Sequence, residues 1–305
     1  MKIIRPETIL DANVTATNVT EADQPEWASG TTYALNDLVM VTGTAGGAAT
    51  ATHKIYQSQA GSNTGNDPTT DDGTYWDEVS STNAWKMFDA IVQDQTERSG
   101  GIEVTLTFTP VVNALAVINV DAASFTVVVD DATEGEVYNQ TFSLISDSGI
   151  QDWYAYFFEP IVRISRYAIT DLPPYAGSDI TVTFTDTGTA KCGALVIGQF
   201  AELGKSQHGA GISIIDYSVK TTDANGRVTI TPGAYANRMD VDIILPTSTF
   251  AVVRNILTDI RTTPVVWIAQ DDEPGAVVYG YYREFDIILS NPTLSRCSLD
   301  IEGLV

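Results

Sequence analysis

Basic side chains are scarce. Sixteen Lys and Arg stand against thirty-nine Asp and Glu in 305 residues, a formal net charge of −23. Such a chain lacks the basic footprint that displaces counterions from nucleic acid, and anionic lipid surfaces repel it. Neither nucleic acid nor membrane insertion is expected. No apolar run approaches the roughly 18 residues of a membrane-spanning helix. The opening MKIIRPETILDANVTATN carries no apolar stretch of signal-peptide length, so synthesis and folding in a cytoplasm are expected. The three Asn-x-Thr sequons at Asn13, Asn18 and Asn139 then read as chance matches.

Cysteine and histidine are equally sparse, at two each. Cys192 and Cys297 lie far apart and outside any Cys-x-x-Cys spacing, so both are expected to be reduced and buried. His53 and His208 are the only histidines a His-based triad could use, and nothing around either suggests one. HExxH, GxSxG and P-loop motifs are missing. Carboxylates cluster at Asp71/Asp72, Asp130/Asp131 and Asp271/Asp272/Glu273, but beside Gly, Pro or Thr, as in solvated turns. Asp223-Ala-Asn225-Gly226 starts like a calcium loop, yet Ala234 occupies the place of the closing glutamate, so a hairpin turn is predicted. No catalytic residue, metal or cofactor is expected.

What the chain does have is strand signal. Apolar residues make up 44%, a normal globular share. Short Val, Ile, Thr and Phe runs are punctuated by Gly, Asp, Asn and Pro. Ile102–Phe108 alternates with period 2, as a half-buried antiparallel strand should. Val111–Val120, Ser124–Val129, Ile180–Phe184, Ala194–Ile197, Val228–Ile230, Val241–Leu245, Val265–Ile268, Val277–Tyr281 and Phe285–Leu289 read as further strands, as does the Trp153–Phe158 run. Gly193 and Gly198 bracket a buried strand at points of close backbone approach. One helix is predicted over about 248–262. Phe250, Val253, Ile256, Leu257 and Ile260 keep a 3.6-residue period, Thr247, Ser248 or Thr249 is placed to cap it, and Arg261 suits its C-terminal end.

These patterns predict a mainly β chain in four parts. They are an N-terminal arm (1–20), a small aromatic-rich module (21–82), a β-sandwich (83–205), and a C-terminal β domain carrying the helix (206–305). Gly204–Gly211 (GKSQHGAG) reads as a hinge.

The module holds the most specific pattern: Trp27, then Tyr33-Ala-Leu-Asn-Asp37-Leu-Val39, then His53-Lys-Ile-Tyr56, Pro68, and Trp76-Asp-Glu-Val79. It resembles the small chitin-binding-type carbohydrate-binding module (families 5 and 12) found on chitinases and on many phage tail proteins. Two readings stay open for Trp27, Tyr33, Tyr56 and Trp76. A domain this small needs large aromatics as its core. Exposed ring faces would instead stack on pyranose rings, as the resemblance implies. Asn36 stands where the family has Gly, and Asn tolerates the left-handed backbone such a turn needs.

The segment STNAWKMFDA (81–90) is similar to one that joins such modules to a β-sandwich in phage tail proteins. Trp85, Met87 and Phe88 are expected to form an apolar plug between domains. Block 83–205 looks like a galactose-binding-like jelly roll, closing on Cys192-Gly-Ala-Leu-Val-Ile-Gly198. Block 206–305 resembles the terminal β domains of tail-tip proteins; Tyr279, Tyr281 and Tyr282 suit either a subunit interface or a sheet core.

The resemblance implies a non-enzymatic virion component near the distal end of a phage tail, at its tip or baseplate. It would pack with other tail proteins, in several copies in a symmetric assembly. The module would present itself to host-surface polysaccharide or act as a spacer. The competing expectation is a glycan-hydrolysing enzyme with an appended binding module, which needs two carboxyls facing each other across a cleft.

Overall fold

The computed structural model describes residues 1–146, 152–158, 162–207, 209–270, 274–288 and 292–305, with the backbone alone for residues 155 and 156. The chain is mainly β, built from antiparallel sheets, with one long helix.

The first strand, Lys2–Pro6, sits in the middle of the largest sheet. Ile4 pairs with Phe200 on one side and with Val266 on the other. The segment expected as an arm therefore stitches the two β blocks together. Its side chains alternate, so Ile3 enters one core and Ile4 the opposite one. In spatial order the sheet runs Arg166–Ile169, Ala114–Asp121, Thr189–Glu202, Lys2–Pro6, Val265–Ile268, Val277–Ile288, Leu294–Gly303 and Tyr235–Pro246. Lys205–Ser206 and Gly211–Asp216 both pair with Tyr235–Pro246 at the far edge.

One end of this sheet curls into a half-barrel. Arg166–Ile169 approaches Val277–Ile288 and the turn Pro274–Ala276, and the Arg166 guanidinium donates to the Val277 carbonyl at 3.5 Å. Burial there holds the Arg166 pKa below its ordinary value. Ala114, Ala116 and Ala194 point into the curl beside Ile4, Val196 and Val266. Small residues let the strands close over a narrow interior.

On the outer face a second sheet completes a sandwich. Its order is Gly135–Ser143, Ser124–Asp131, Asp179–Thr185, Ile102–Thr107 and Val14–Thr17. Phe125, Val127, Val182 and Phe184 meet Leu115, Val117, Leu195 and Ile197 between the layers. Thr189–Glu202 is covered on both faces, so its sequence is a continuous apolar run rather than an alternation. A Cβ at Gly193 would strike the Val92 carbonyl, and one at Gly198 the Arg5 carbonyl, so close backbone approach requires both glycines.

The helix is α2, Phe250–Asp259, preceded by a 3-10 turn at Thr247–Thr249. Val253, Leu257 and Ile260 are buried against the large sheet, with Phe250 and Ile256 half-buried beside them. Thr249 does not cap it: its hydroxyl donates back to the Pro246 carbonyl at 2.9 Å. The carbonyl of Leu257, near the end of the helix, accepts instead from the Tyr282 hydroxyl at 2.9 Å.

Three expectations are corrected. Val277–Tyr281 and Phe285–Leu289 form a single strand, Val277–Ile288, with an irregularity between Tyr282 and Glu284; Leu289 lies outside the described residues. Gly204–Gly211 is no free hinge, because Lys205 and Ser206 pair with Ile244 and Ile243; His208 lies outside the described residues. Trp153–Phe158 is a short helix, α1, and not a strand. No neighbouring strand pairs with it among the described residues, and only a helical turn can satisfy backbone groups locally.

Residues 21–82 fold around Leu38–Val41, Lys54–Ser58 and Trp76–Ser81, with Thr32–Tyr33 pairing Asn63–Thr64. Asn36 takes φ 69° in the turn between Tyr33 and Leu38. The Asp37 carboxylate accepts from the Ala34 amide at 2.7 Å and fixes that turn.

Candidate functional site

The four aromatics of the module point inward. Trp27, Tyr33, Tyr56 and Trp76 are at most 8% exposed and form its core with Val39, Val41 and Ala48. Tyr33 meets Trp76 edge-on at 5.2 Å. Their polar tips are also used internally. The Trp76 indole donates to the Asn66 carbonyl at 2.9 Å, and the Tyr56 hydroxyl to the Thr52 hydroxyl at 3.1 Å. Burial pushes the Tyr56 phenol pKa up. None of these rings offers a face to a sugar, and the need for a mini-core accounts for them all.

Trp85 and Phe88 sit between the module and the sandwich. Trp85 stacks on His53 of the module, centroids 4.2 Å apart, and Phe88 meets Trp85 edge-on at 5.5 Å. Met87 and Ala84 are buried in the sandwich core. His53 is held from the other side: its Nδ1 lies 3.0 Å from Glu21 and its Nε2 3.7 Å from Asp11. Glu21 also accepts from the Thr82 hydroxyl. His53 thus belongs to a structural clasp.

The tyrosines of Val277–Ile288 divide between faces. Tyr279 packs on the half-barrel interior, Tyr282 packs under α2, and Tyr281 stays at the surface. A cavity of about 230 Å³ opens where the plug meets the half-barrel, lined in part by Glu7, Phe88, Asp89, Pro264 and Tyr279. Burial raises the Asp89 pKa, with Asp94 adding; Ser81, the Ile91 amide and Lys86 oppose it more weakly. Burial, then the Asp89 charge, raises the Tyr279 phenol.

The exposed aromatic surface lies elsewhere. Helix α1 presents Trp153, Tyr154, Phe157 and Phe158, each between 67% and 77% exposed. Their spacing pairs Trp153 with Phe157 and Tyr154 with Phe158, at 6.2 and 4.9 Å between centroids. The helix rides on a stem in which Ile145–Ser146 pairs with Val162–Arg163. Arg163 fastens the root, 2.5 Å from Asp186 and 2.8 Å from Asp121. The Gly188 amide and then Arg163 hold the Asp186 carboxyl below the usual range, and Asp186 raises Arg163 in return. Each such ring carries on the order of 150–250 Å². Together they exceed the apolar patch of a few hundred Å² that soluble monomers ordinarily expose. The sequence held this signal: Trp153-Tyr-Ala-Tyr-Phe-Phe158 places aromatics at i, i+1, i+4 and i+5, two adjacent columns on a helix.

The described carboxylate clusters build turns. Asp71 accepts from the amides of Gly73, Tyr75 and Trp76. Asp131 accepts from those of Thr133 and Glu134. Asp223 accepts from those of Asn225 and Arg227 within a hairpin turn. Asp271, Asp272 and Glu273 lie outside the described residues. Among the described residues no group of three or more His, Cys, Asp or Glu is placed to hold a metal. Cys192 and Cys297 are free and buried, and desolvation pushes the Cys297 thiol up to about 12. No family model matches the chain, and no curated protein matches it.

Proposed function

We propose that this chain is a structural component of a bacteriophage tail, near its distal end, which works by contact and performs no chemistry. The observation that carries the proposal is the aromatic projection α1. Four exposed rings on a fastened stem form a flat, uncharged surface on a chain of net charge −23. Nucleic acid and anionic lipid are disfavoured by that charge. Sugar rings, with apolar faces edged by hydroxyls, suit aromatic stacking. The proposed glycan contact therefore lies on α1, and the module of residues 21–82 serves as a spacer packed on its own aromatics. Its clasp to the sandwich through Trp85 and His53 supports that role. The test is binding of the full chain to host lipopolysaccharide, peptidoglycan and chitin, with and without the four rings.

The competing hydrolase reading requires a facing carboxylate pair. Asp71 and Asp131 are each engaged by backbone amides of their own turn, which supports the contact reading over the catalytic one.

A further inference from the structure

Beyond the edge strand Gly211–Asp216 the chain leaves the large sheet, runs out as a hairpin and returns at Tyr235. The hairpin strands, Val219–Thr222 and Val228–Thr231, pair only with each other. All eight of their residues are exposed, including Val219, Val228 and Ile230 at 58–60%. Its base is fixed: the Tyr217 amide donates to the Ala234 carbonyl at 3.0 Å, and the Gly233 amide to the Ser218 hydroxyl at 3.0 Å. Its tip is fixed by Asp223. A two-stranded ribbon is marginal in water by itself. This one offers two free edges rich in β-branched residues, without the proline or bulge that would blunt them. Such an arm calls for a further strand from outside.

Charge points to the partner. Residues 217–234 hold Lys220 and Arg227 against Asp223 alone, a net +1 in a chain of −23. The opposite character occurs at the outer strand of the sandwich, Gly135–Ser143. It ends the five-stranded sheet, and nothing pairs with its outer side among the described residues. Glu134 and Glu136 are exposed there, with Asp130 and Asp131 on the adjacent strand. We propose that the 219–231 arm of one copy adds a strand to the Gly135–Ser143 edge of a second copy. The two surfaces differ, so the contact is head-to-tail and extends into a ring or a filament. Main-chain hydrogen bonds would supply the affinity, as in other strand additions, and Lys220 and Arg227 the orientation. This inference uses none of the α1 residues, so its failure and that of the glycan proposal are separately visible.

The test uses full-length chains, purified under reducing conditions and then oxidised at about 1 mM, with thermal melts confirming that each variant folds. Thr229→Cys and Asn139→Cys are placed on exposed positions of the arm and the edge, while the native thiols are buried. The double variant should give a covalent ladder of dimers and higher species. Each single variant alone should stay monomeric, and an equal mixture of the two should give dimer. Adding Val228→Asp and Ile230→Asp to the double variant should abolish the ladder. No species above monomer from the double variant overturns the proposal. So does a dimer from Thr229→Cys alone, which would mean arms meeting arms.

Discussion

His53 and Trp85 stack face to face, 4.2 Å between ring centroids and 20° between planes, across the junction of the small module and the sandwich. The contact places one ring from each side in a shared apolar seam, with Glu21 and Asp11 behind the imidazole. The module is thereby mounted in a set orientation.

Removing the plug should free the module. Trp85→Ala deletes a half-buried indole, and a loss of about 2 kcal/mol is expected, below the 3–5 typical of a fully buried one. Limited proteolysis should then cut between Ser81 and Thr96 faster than in the parent. Unchanged cleavage would mean that Glu21 and Thr82 alone hold the junction.

The module's own core should fail differently. Trp76→Ala removes a fully buried ring and is expected to cost about 3–5 kcal/mol, more than so small a domain can spare. Hydrogen exchange should rise across Leu38–Val41 and Lys54–Ser58 while Ile102–Thr107 stays protected. Retained protection in the module would contradict its aromatic mini-core.

Asp89 gives the pH dependence a sign. Its pKa is raised in the folded state, so the folded chain holds this proton more tightly than the unfolded one. Stability from this group is present below about pH 4, the ordinary aspartate value, and is lost as pH rises through the raised one. Asp89→Asn removes that loss. The difference in Tm between variant and parent should move in favour of the variant from pH 4 to pH 7. A constant difference would contradict burial as the cause.

Local pattern made much of the fold legible. Ile102–Thr107 and Ser124–Asp131 alternate because one face is wet and the other is core, and α2 shows its 3.6-residue period because it lies on a sheet. Pairing was not legible. Nothing in Lys2-Ile-Ile-Arg-Pro6 says that Ile4 lies between Phe200 and Val266. Nor do the aromatics of Trp153–Phe158 say whether a neighbouring strand exists to accept them. Without one the segment coils, and its rings face solvent. Trp27 and Trp76 show the reverse case, since residue type alone could not separate a sugar platform from a core.

The central claim is contact through α1, and one measurement tests it most directly. Parent chain and a variant carrying Trp153→Ala, Tyr154→Ala, Phe157→Ala and Phe158→Ala are titrated against host lipopolysaccharide, peptidoglycan and chitin. Matched melting curves serve as the control. These side chains are exposed, so the fold should hold. The account predicts that the parent binds at least one glycan and that the variant loses on the order of tenfold or more in affinity, about 1.4 kcal/mol or above. Equal binding by both proteins, or none by the parent, would contradict it.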